Sequence, residues 1–432
     1  MSTSVSRPAA VSPAPEVVDA ARWPDVAAVP RCSAPRAAAA EGILRHALAR
    51  LPLSVRLPSG RILGAGGPLL ELRAPEDFHR RIGADGLIGF GESYMAREWE
   101  AEDLVGVLTV LAEHAATLVP APLQRLRGAW ARRQPDEGRN TPGNSRTNIA
   151  HHYDLSNDLF ALFLDETLSY SSALFPQLPA HQRDFTAGQY RKIDRLLDLA
   201  AVGAGTRLLE IGTGWGELAL RAARRGAQVV TVTLSEEQRA LAEQRVLRAG
   251  LQDRITVQLR DYRQIEGRYD AVVSVEMIEA VGADYWPAYF ATLERLLAPG
   301  GRIALQAITM PHDRMLATRH TYTWIQKYIF PGGFLPSVTA IEDCVREHTT
   351  LRVTDRAGFG AHYAETLRLW RDRFTQHAHE VDRLGFDATF RRMWTFYLAY
   401  SEAGFRARYL DVHQLLLQRN EAAAAAAPNG TS

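Results

Sequence analysis

Three glycines spaced by single residues follow an apolar run and an acidic residue in residues 207–216, RLLEIGTGWG. Glycines at such a point permit a tight strand-to-helix turn and let the backbone approach a ligand closely. The helical pattern that begins at Glu217 places unpaired N–H groups beside the turn. The stretch is therefore compatible either with an ordinary strand-to-helix turn or with a turn that binds a nucleotide-like ligand.

Repeated strand and helix patterns continue the chain beyond this turn. Apolar, β-branched runs predict strands, and amphipathic runs predict the helices between them. Such units imply a parallel sheet covered by helices on both faces. Ligands of these sheets bind at the carboxyl ends of the strands, which is where the glycine turn lies. The predicted strands are Arg207–Ile211, Gln228–Leu234, Ile255–Arg260, Tyr269–Val275 and Arg302–Ile308.

Composition divides the chain into a small first domain and a larger second domain. The segment that joins them holds prolines, glycines and mixed charges, as linkers do. Residues 87–94 are glycine-rich and residues 318–334 are rich in aromatics, and both are predicted to form loops. The predicted divisions are a disordered segment at 1–38, a small α/β domain at 39–130, a linker at 131–147, the second domain at 148–420 and a disordered tail at 421–432.

Bulk properties exclude several classes of function. A formal net charge of +1 argues against bulk electrostatic binding to nucleic acid. Cys32 and Cys344 are isolated, so we expect neither a disulfide framework nor a metal cluster, and a reducing cytosol is the default compartment. No apolar run reaches the length of a membrane span, so any membrane contact must be peripheral. Among the 50 basic residues only Lys192 and Lys327 are lysine, which fits compositional bias or arginine binding to phosphate head groups.

The ends of the second and third strands distinguish two kinds of nucleotide-like ligand. A dinucleotide site needs an acidic residue at the end of the second strand to hold a ribose, and residues 232–235 contain none. Asp261 ends the third strand, where its carboxylate would accept a hydrogen bond from an adenine amino group. With Glu210 immediately before the glycines, this pattern resembles the α/β, Rossmann-like class I S-adenosylmethionine-dependent methyltransferases better than a nicotinamide site.

Six motifs that appear in order make the resemblance more specific. Together they are similar to the cyclopropane-fatty-acyl-phospholipid synthase and mycolic acid methyltransferase family, over about residues 148–420. The small first domain resembles the lipid-binding domain of the longer bacterial members. The motifs are YDLSND at 153–158, Tyr170-Ser171, EIGTGWG at 210–216, TLSEEQ at 233–238, DYR at 261–263 and KYIFPGG at 327–333.

The resemblance implies S-adenosyl-L-methionine as the cofactor and assigns a set of residues to its pocket. Thr233 and Gln238 would replace the missing ribose carboxylate. Without the resemblance, they are a strand-end hydroxyl and a solvated helix residue. The residues assigned to the pocket are Tyr170, Ser171, Glu210, Gly212, Thr213, Gly214, Trp215, Gly216, Thr233, Leu234, Gln238, Asp261 and Tyr262.

Five further positions concern the chemistry that the resemblance implies. In this family, a cis double bond of a phospholipid acyl chain attacks the sulfonium methyl and leaves a carbocation. In cyclopropane-forming members, a bicarbonate held by a Cys, a Glu, a His and a Tyr then removes a proton. Glu279 and Tyr363 match the Glu and the Tyr. Ser172 and Gln306 stand at the Cys and His positions, and Glu276 occupies a position that is usually small.

These departures predict that a carboxylate of the protein, and not bicarbonate, acts as the base. Two neighbouring carboxylates, Glu276 and Glu279, would repel a bicarbonate, and their repulsion would raise the pKa of one of them. Gln306 stays neutral and lacks the proton-shuttling character of imidazole. In the alternative interpretation the site still binds bicarbonate through Ser172 and Gln306.

The same departures resemble the actinobacterial tuberculostearic-acid branch of the family. Its members convert the oleoyl chain of a phospholipid into a 10-methylene chain, which a separate reductase then converts to the 10-methyl form. The resemblance also implies a homodimer and a cytoplasmic protein at the inner membrane surface. A true cyclopropane synthase and a non-catalytic lipid-binding protein of the same fold are the alternative functions.

Four histidines are further candidates for a general base, namely His151, His152, His312 and His362. For each of them a hydrogen-bonded structural role is the alternative. No spacing of His or Cys residues predicts a metal site.

Overall fold

The computed structural model describes residues 17–115, 117 and 156–420. Its first part, the N-terminal unit (residues 17–115), contains a four-stranded sheet. The strands are β1 (Ser54–Arg56), β2 (Ile62–Gly64), β3 (Leu69–Leu72) and β4 (Trp99–Ala101). The helices are α1 (Pro24–Ala27), α2 (Ala34–Leu48), α3 (Pro75–Asp85), α4 (Leu87–Met95) and α5 (Leu104–Glu113). The strand order is β2-β1-β3-β4, in which β1 and β3 are parallel.

The second unit (residues 156–420) is built on a seven-stranded sheet. Its strands are β5 (Arg207–Ile211), β6 (Gln228–Thr233), β7 (Ile255–Leu259), β8 (Tyr269–Val275), β9 (Leu297–Thr309), β10 (Leu351–Gly358) and β11 (Asp411–Arg419). The strand order is β10-β11-β9-β8-β5-β6-β7. Strands β9, β8, β5, β6 and β7 are parallel to one another. Strand β11 lies between β9 and β10 and is antiparallel to both. The predicted α/β fold with a parallel sheet is therefore confirmed.

Helices cover both faces of this sheet. Successive strand residues point to opposite sides, so apolar side chains on both faces must be buried. Leu208 and Leu209 of β5 are both fully buried, but they belong to separate hydrophobic cores. The helices are α6 (Asn157–Phe163), α7 (Phe185–Leu199), α8 (Glu217–Arg224), α9 (Glu236–Arg248), α10 (Trp286–Leu296), α11 (His312–Thr318), α12 (Trp324–Tyr328), α13 (Val338–His348), α14 (Gly360–Gln376), α15 (Ala378–Arg383) and α16 (Ala388–Arg406). Within the described ranges, none of the helices is long and apolar enough to cross a membrane.

Helix α16 joins the two units through aromatic packing. The ring of Phe396, which is 2% exposed, lies at the centre of this contact. Aromatic side chains from α4, β4 and α12 surround it with ring centroids 4.9–6.4 Å away, and these are Phe90, Tyr94, Trp99 and Trp324. Edge and offset contacts of this kind add to the stabilisation that burial alone provides. The N-terminal unit is thus packed on the second unit through one continuous hydrophobic core.

Two segments that we predicted to be loops contain helices. Residues 87–94 lie in α4, and their glycines serve close packing instead of a turn. A Cβ on Gly89 would lie 2.1 Å from the carbonyl oxygen of Arg81, and one on Gly91 would lie 2.4 Å from the ring of Trp324. The predicted loop at 318–334 contains α12, whose first turn is closed by a capping box between Thr323 and Gln326.

The predicted disordered segment at 1–38 is also corrected. Residues 17–38 contain α1 and the start of α2, and α2 runs through the boundary that we placed at residue 38. Val26 is 1% exposed, and the guanidinium of Arg81 donates to the carbonyl oxygens of Asp25 and Val26. Residues 1–16, the predicted linker at 131–147, residues 153–155 of the YDLSND motif and the tail at 421–432 lie outside the described residues.

We expect Gly91→Ala to destabilise the protein. In an unconstrained helix, Gly→Ala is stabilising by about 1 kcal/mol, but the new methyl group would overlap the buried Trp324 ring, and overpacking costs about 1–3 kcal/mol. Gly42→Ala, in α2, is the matched control because a Cβ there meets no atom within 4 Å. Thermal unfolding should give a lower midpoint for Gly91→Ala and an unchanged or higher one for Gly42→Ala. Equal midpoints for the two variants would contradict the close contact.

Candidate functional site

A cavity opens at the carboxyl ends of β5, β6 and β8. Every residue that we assigned to the cofactor pocket lines this cavity except Gly216. Gly216 stands at the N-terminus of α8 with a left-handed backbone (φ +90°), and a Cβ there would lie 3.2 Å from the Cβ of Ala242 of α9. Glycine at this position allows a close contact between α8 and α9. That the lining residues bind the cofactor stays a prediction.

The glycine turn needs glycine for two separate reasons. Gly212 has a φ of +97° and Gly214 a φ of +52°, a region that other residues rarely adopt. A Cβ on Gly212 would also lie 2.7 Å from the side chain of Met277, which follows β8. The amides of Gly212 and Thr213 both donate to the carbonyl oxygen of Val232, at 3.0 and 3.1 Å, so the turn is anchored to β6.

Glu210 places a buried carboxyl group directly before the turn. Its residue is 3% exposed, and the hydroxyl of Thr231 donates to Oε2 at 2.6 Å. Burial raises the pKa of Glu210 to about 8, although the Thr231 hydrogen bond and the nearby Lys192 ammonium both oppose this rise. A carboxyl in this environment has much to gain from a cationic or hydrogen-bond-donating ligand group.

The residues assigned to the ribose and the adenine are already organised by hydrogen bonds. Thr233 donates to the side-chain oxygen of Gln238 at 2.7 Å, and Gln238 is 6% exposed. Gln238 is therefore not a solvated helix residue, which was the alternative to its pocket role. Asp261 accepts hydrogen bonds from the backbone amide and the guanidinium of Arg263 at 2.5–2.9 Å.

The Glu276 carboxylate is the centre of the predicted catalytic residues. Oε1 accepts from the backbone amide of Ser172 at 3.0 Å and from the side-chain amide of Gln306 at 2.7 Å. Oε2 accepts from the hydroxyl of Tyr363 at 2.7 Å. Glu276 directly follows β8 and has a φ of +50°, so its side chain is directed by a strained backbone. Three residues that are far apart in sequence thus donate hydrogen bonds to the carboxylate of a fourth.

Glu279 lies on the next turn of the chain and is held less completely. Oε1 accepts from the backbone amide of Ile308 at 2.5 Å. Within the described part of the chain, Oε2 is buried and accepts no hydrogen bond. Burial and the negative charge of Glu276 raise the pKa of Glu279 to about 8. The two carboxyl groups therefore lie close enough for the charge of Glu276 to raise the pKa of Glu279. That this pair acts as the base stays a prediction.

Sequence reasoning missed two residues of this site, Lys192 and Gln414. The Lys192 ammonium lines the cavity, donates to the Ser171 hydroxyl at 2.6 Å and interacts with the charges of Glu276 and Glu210. The Gln414 amide donates to the side-chain oxygen of Gln306 at 3.0 Å and to the backbone oxygen of Lys192 at 3.1 Å. The available signal for Lys192 was a lysine in a chain that otherwise uses arginine. Gln414 lies on β11, a strand that we did not predict.

Two of the four histidines that we considered as general bases, His312 and His362, lie among the described residues, and both have hydrogen-bond partners. Nδ1 of His312 shares a hydrogen bond with the Ser337 hydroxyl at 2.8 Å, and Nδ1 of His362 accepts from the amide of Phe175 at 3.1 Å. These hydrogen bonds favour a structural role over a catalytic one for both histidines. His151 and His152 lie outside the described residues. Over residues 17–115, 117 and 156–420, no group of three or more His, Cys, Asp or Glu side chains is arranged to hold a metal.

Comparison with known sequences gives a consistent family. The family described as mycolic acid cyclopropane synthetase matches residues 141–415. The tuberculostearic acid methyltransferase UfaA1 of Mycobacterium tuberculosis is 56% identical over 411 residues, which cover 93% of this chain and 96% of the relative. The cyclopropane-fatty-acyl-phospholipid synthase of Escherichia coli K12 is 34% identical over 348 residues, which cover 79% and 86%.

Comparison with solved structures gives the same family. The cyclopropane synthase MmaA2 of Mycobacterium tuberculosis aligns with a TM-score of 0.58 and 31% identity, over 63% of this chain and 97% of that one. The mycolic acid cyclopropane synthase CmaA1, solved in complex with SAH and CTAB, aligns with a TM-score of 0.58 and 30% identity, over 66% and 99%. The second unit therefore has the predicted class I methyltransferase fold.

We expect the raised pKa of Glu279 to make the ligand-free protein less stable as pH increases. The unfolded carboxyl ionises near pH 4.5, whereas the folded one holds its proton up to about pH 8. The stabilisation present at low pH is thus lost between these values, by at most about 1.4 kcal/mol per pH unit. Glu279→Gln should reduce the fall in the thermal midpoint from pH 6 to pH 8. Glu102→Gln, at an exposed carboxylate of the N-terminal unit, is the control. A slope that is equal in wild type and Glu279→Gln would contradict the burial argument.

Proposed function

Because this chain belongs to the mycolic acid cyclopropane synthetase family, we propose that it is an S-adenosylmethionine-dependent carbon methyltransferase. Its substrate would be the cis double bond of an oleoyl chain carried by a phospholipid, and its product a 10-methylene chain. The relative that is 56% identical is named for tuberculostearic acid, which supports this product. A second candidate, a cyclopropane-fatty-acyl-phospholipid synthase, is supported by the relative that is 34% identical.

The observation that carries the proposal is the set of hydrogen bonds to Glu276. By the family resemblance, Ser172, Gln306, Tyr363 and Glu279 stand where cyclopropane-forming members hold their bicarbonate. Here three of those positions donate to the Glu276 carboxylate. A carboxylate and a bicarbonate present the same pair of anionic oxygens. We therefore infer that Glu276 takes the place of the bicarbonate as a permanent part of the protein.

The cavity fits the cofactor. The turn at Gly212 and Gly214 lets a ligand approach the backbone, and the buried Glu210 carboxyl would accept from an ammonium group. Thr233 and Gln238 would hold the ribose, and Asp261 would hold the adenine amino group. When bound, S-adenosylmethionine supplies an electrophilic methyl group. The protein must align the alkene with that methyl, exclude water and place a base.

The final proton transfer is the step that the local geometry serves. Methyl addition at carbon 10 leaves a cation at carbon 9, and a hydride shift moves the cation to carbon 10. Loss of a proton from the new methyl group then gives the exocyclic alkene. Glu276 lines the cavity, so we assign the proton acceptor to it. Glu279 has a raised pKa and holds its own proton near neutral pH, so Glu276 is the member of the pair that takes the substrate proton.

Lys192 supports this assignment electrostatically. Burial raises the pKa of Glu276, and the Lys192 ammonium, with the Tyr363, Ser172 and Gln306 hydrogen bonds, acts in the opposite direction. Burial in turn lowers the pKa of Lys192 to about 8, so it is still largely protonated near neutral pH. The Lys192 charge and the three hydrogen bonds therefore offset part of the desolvation of Glu276 and favour its ionised form, which is the form that can act as a base.

The partners follow from the substrate. Phospholipid acyl chains lie in a membrane, so we propose peripheral contact with the inner membrane surface from the cytoplasm. The N-terminal unit is the proposed lipid-binding domain, by its resemblance to longer members of the family. We also propose a homodimer and a separate reductase that acts on the 10-methylene product.

We expect the purified protein, incubated with S-adenosylmethionine and dioleoyl phospholipid vesicles, to form the 10-methylene ester. Mass spectrometry and NMR of the released methyl ester distinguish its exocyclic alkene from a cyclopropane ring of equal mass. The rate in bicarbonate-depleted buffer should equal the rate with bicarbonate added, because Glu276 already fills the anion position. A cyclopropane as the sole product, or a strong dependence on bicarbonate, would overturn the proposal in favour of the second candidate.

Two substitutions at Glu276 separate the chemistry of its carboxylate from its volume. Glu276→Gln keeps the volume but cannot accept the proton, so turnover should fall by about 10²–10⁴-fold. Glu276→Gly should lose a similar factor without bicarbonate, but it opens the anion position and also suits the left-handed backbone. Added bicarbonate should therefore restore turnover in Glu276→Gly and not in Glu276→Gln. A folded Glu276→Gln enzyme with wild-type turnover would remove Glu276 from the mechanism. A folded Glu276→Gly enzyme that bicarbonate leaves inactive would refute the equivalence of the two anions.

A further inference from the structure

We propose that Glu92, in the N-terminal unit, is a positioning residue for Glu279, the carboxyl group beside the proposed base Glu276. It would act through residues 323–334, here called the bridging segment, which contains α12 and the turn after it. The inference rests on the proposed function, because Glu279 matters only if the carboxylate pair performs the proton transfer. It gives the N-terminal unit a part in the chemistry that is separate from lipid binding.

The first link is a buried ion pair between the two units. Glu92 lies on α4 and is 1% exposed. Its Oε1 accepts from the Lys327 ammonium and, at 2.8 Å, from the Tyr328 hydroxyl. The same ammonium reaches Asp25 at 2.7 Å. Lysine suits this place because its compact ammonium group donates in several directions at once, whereas a planar guanidinium would need more room.

The second link runs through the bridging segment itself. Lys327 and Tyr328 form the last turn of α12, and Gln326 precedes them. The Gln326 side chain caps the helix start at Thr323 and donates to the carbonyl oxygen of Gly333 at 2.8 Å. The amide of Gly333 in turn donates to Phe330 at 3.0 Å. The helix held by Glu92 and the turn after it therefore form one hydrogen-bonded body.

The third link reaches the backbone of Glu279. The amide of Phe334 donates to the backbone carbonyl of Glu279 at 2.8 Å. The Phe334 ring stacks on Trp286, whose indole N–H donates to the carbonyl of Ile278 at 3.2 Å. Phe334 and Trp286 thus both hold the short turn that carries the Glu279 side chain.

A branch of the same segment reaches the cofactor cavity. The ring of Phe330 packs edge-on against Tyr397 with centroids 5.9 Å apart. The Tyr397 hydroxyl shares a hydrogen bond of 2.7 Å with the hydroxyl of Tyr170, which lines the cavity. The bridging segment therefore contacts the backbone of Glu279 directly and is linked through Tyr397 to Tyr170, which lines the cofactor cavity.

Loss of the Glu92 charge should displace this segment. A buried ion pair that loses one partner leaves an uncompensated charge, and the remaining group moves toward water or another partner. Lys327 already has such a partner in the more exposed Asp25. A displacement on the order of 1 Å at a reacting group lowers rates by about 10²-fold. The carbocation would then last longer, and water would add its oxygen to the cation and release a proton, giving a methylated alcohol.

The test compares full-length wild type with Glu92→Gln and Tyr328→Phe on dioleoyl phospholipid vesicles. The control is Glu100→Gln, which breaks another inter-unit ion pair, that of Glu100 with Arg392 at 2.7 Å. We expect Glu92→Gln to lower kcat by about 10–100-fold, with the KM for S-adenosylmethionine changed less than twofold. We also expect a larger fraction of methylated alcohol among its products. Tyr328→Phe should shift both quantities in the same direction by less, and Glu100→Gln should shift neither.

The product fraction separates positioning from general destabilisation, since a smaller folded fraction lowers the rate without changing what is made. A Glu92→Gln enzyme with the wild-type rate and products would overturn the inference, as would equal losses in Glu92→Gln and Glu100→Gln. If Glu92→Gln does not fold, Tyr328→Phe decides alone, and an unchanged product fraction in that variant counts against the inference. A wild-type rate in Glu279→Gln would instead refute the proposed role of Glu279. The two failures are therefore distinguishable.

Discussion

The three hydrogen bonds that converge on the Glu276 carboxylate are the interaction on which the rest of the site depends. An anion in a protein interior is stable only when its oxygens are satisfied, so each donor must be held in place by its own element. Ser172 precedes α7, Gln306 is on β9 and Tyr363 is in the first turn of α14. The carboxylate therefore links the segment before α7, strand β9 and helix α14, and it adds to the hydrogen bonds that already join that segment to α14.

Burial is the common physical cause of the unusual titration in this cavity. Glu210 and Glu279 have raised pKa values and Lys192 a lowered one, and desolvation is the largest cause for each. The same low-polarity surroundings that disfavour these charges also strengthen the hydrogen bonds that the three groups make to Thr231, the Ile308 amide and Ser171. A site of this kind suits a reaction that forms a carbocation, because it excludes water while keeping one oriented carboxylate near the cation.

Local strand and turn patterns predicted the parallel strands and the glycine turn, but not β11. The residues that line the cavity were assigned through the family resemblance. The sequence also brought Ser172, Glu276, Gln306 and Tyr363 together correctly, but only through the same resemblance. Helix α4 was mistaken for a loop because Gly91 signals a turn locally, whereas its actual role is set by the distant Trp324. Lys192 and Gln414 were missed for the same reason, since each gains its role from elements far away in the chain. Local sequence patterns do not show contacts between residues that are far apart in the chain.

The position of β11 has a consequence for how the chain becomes an enzyme during synthesis. This strand is the last described element, yet it lies inside the sheet, and Gln414 pairs directly with Gln306 across it. A ribosome-bound chain thus completes the glycine turn about two hundred residues before it completes the strand that carries Gln414. Until β11 inserts, the edge of β9 is open to pairing with another strand, which is a known route to aggregation. Chains that end before this strand would therefore carry an unpaired sheet edge at β9.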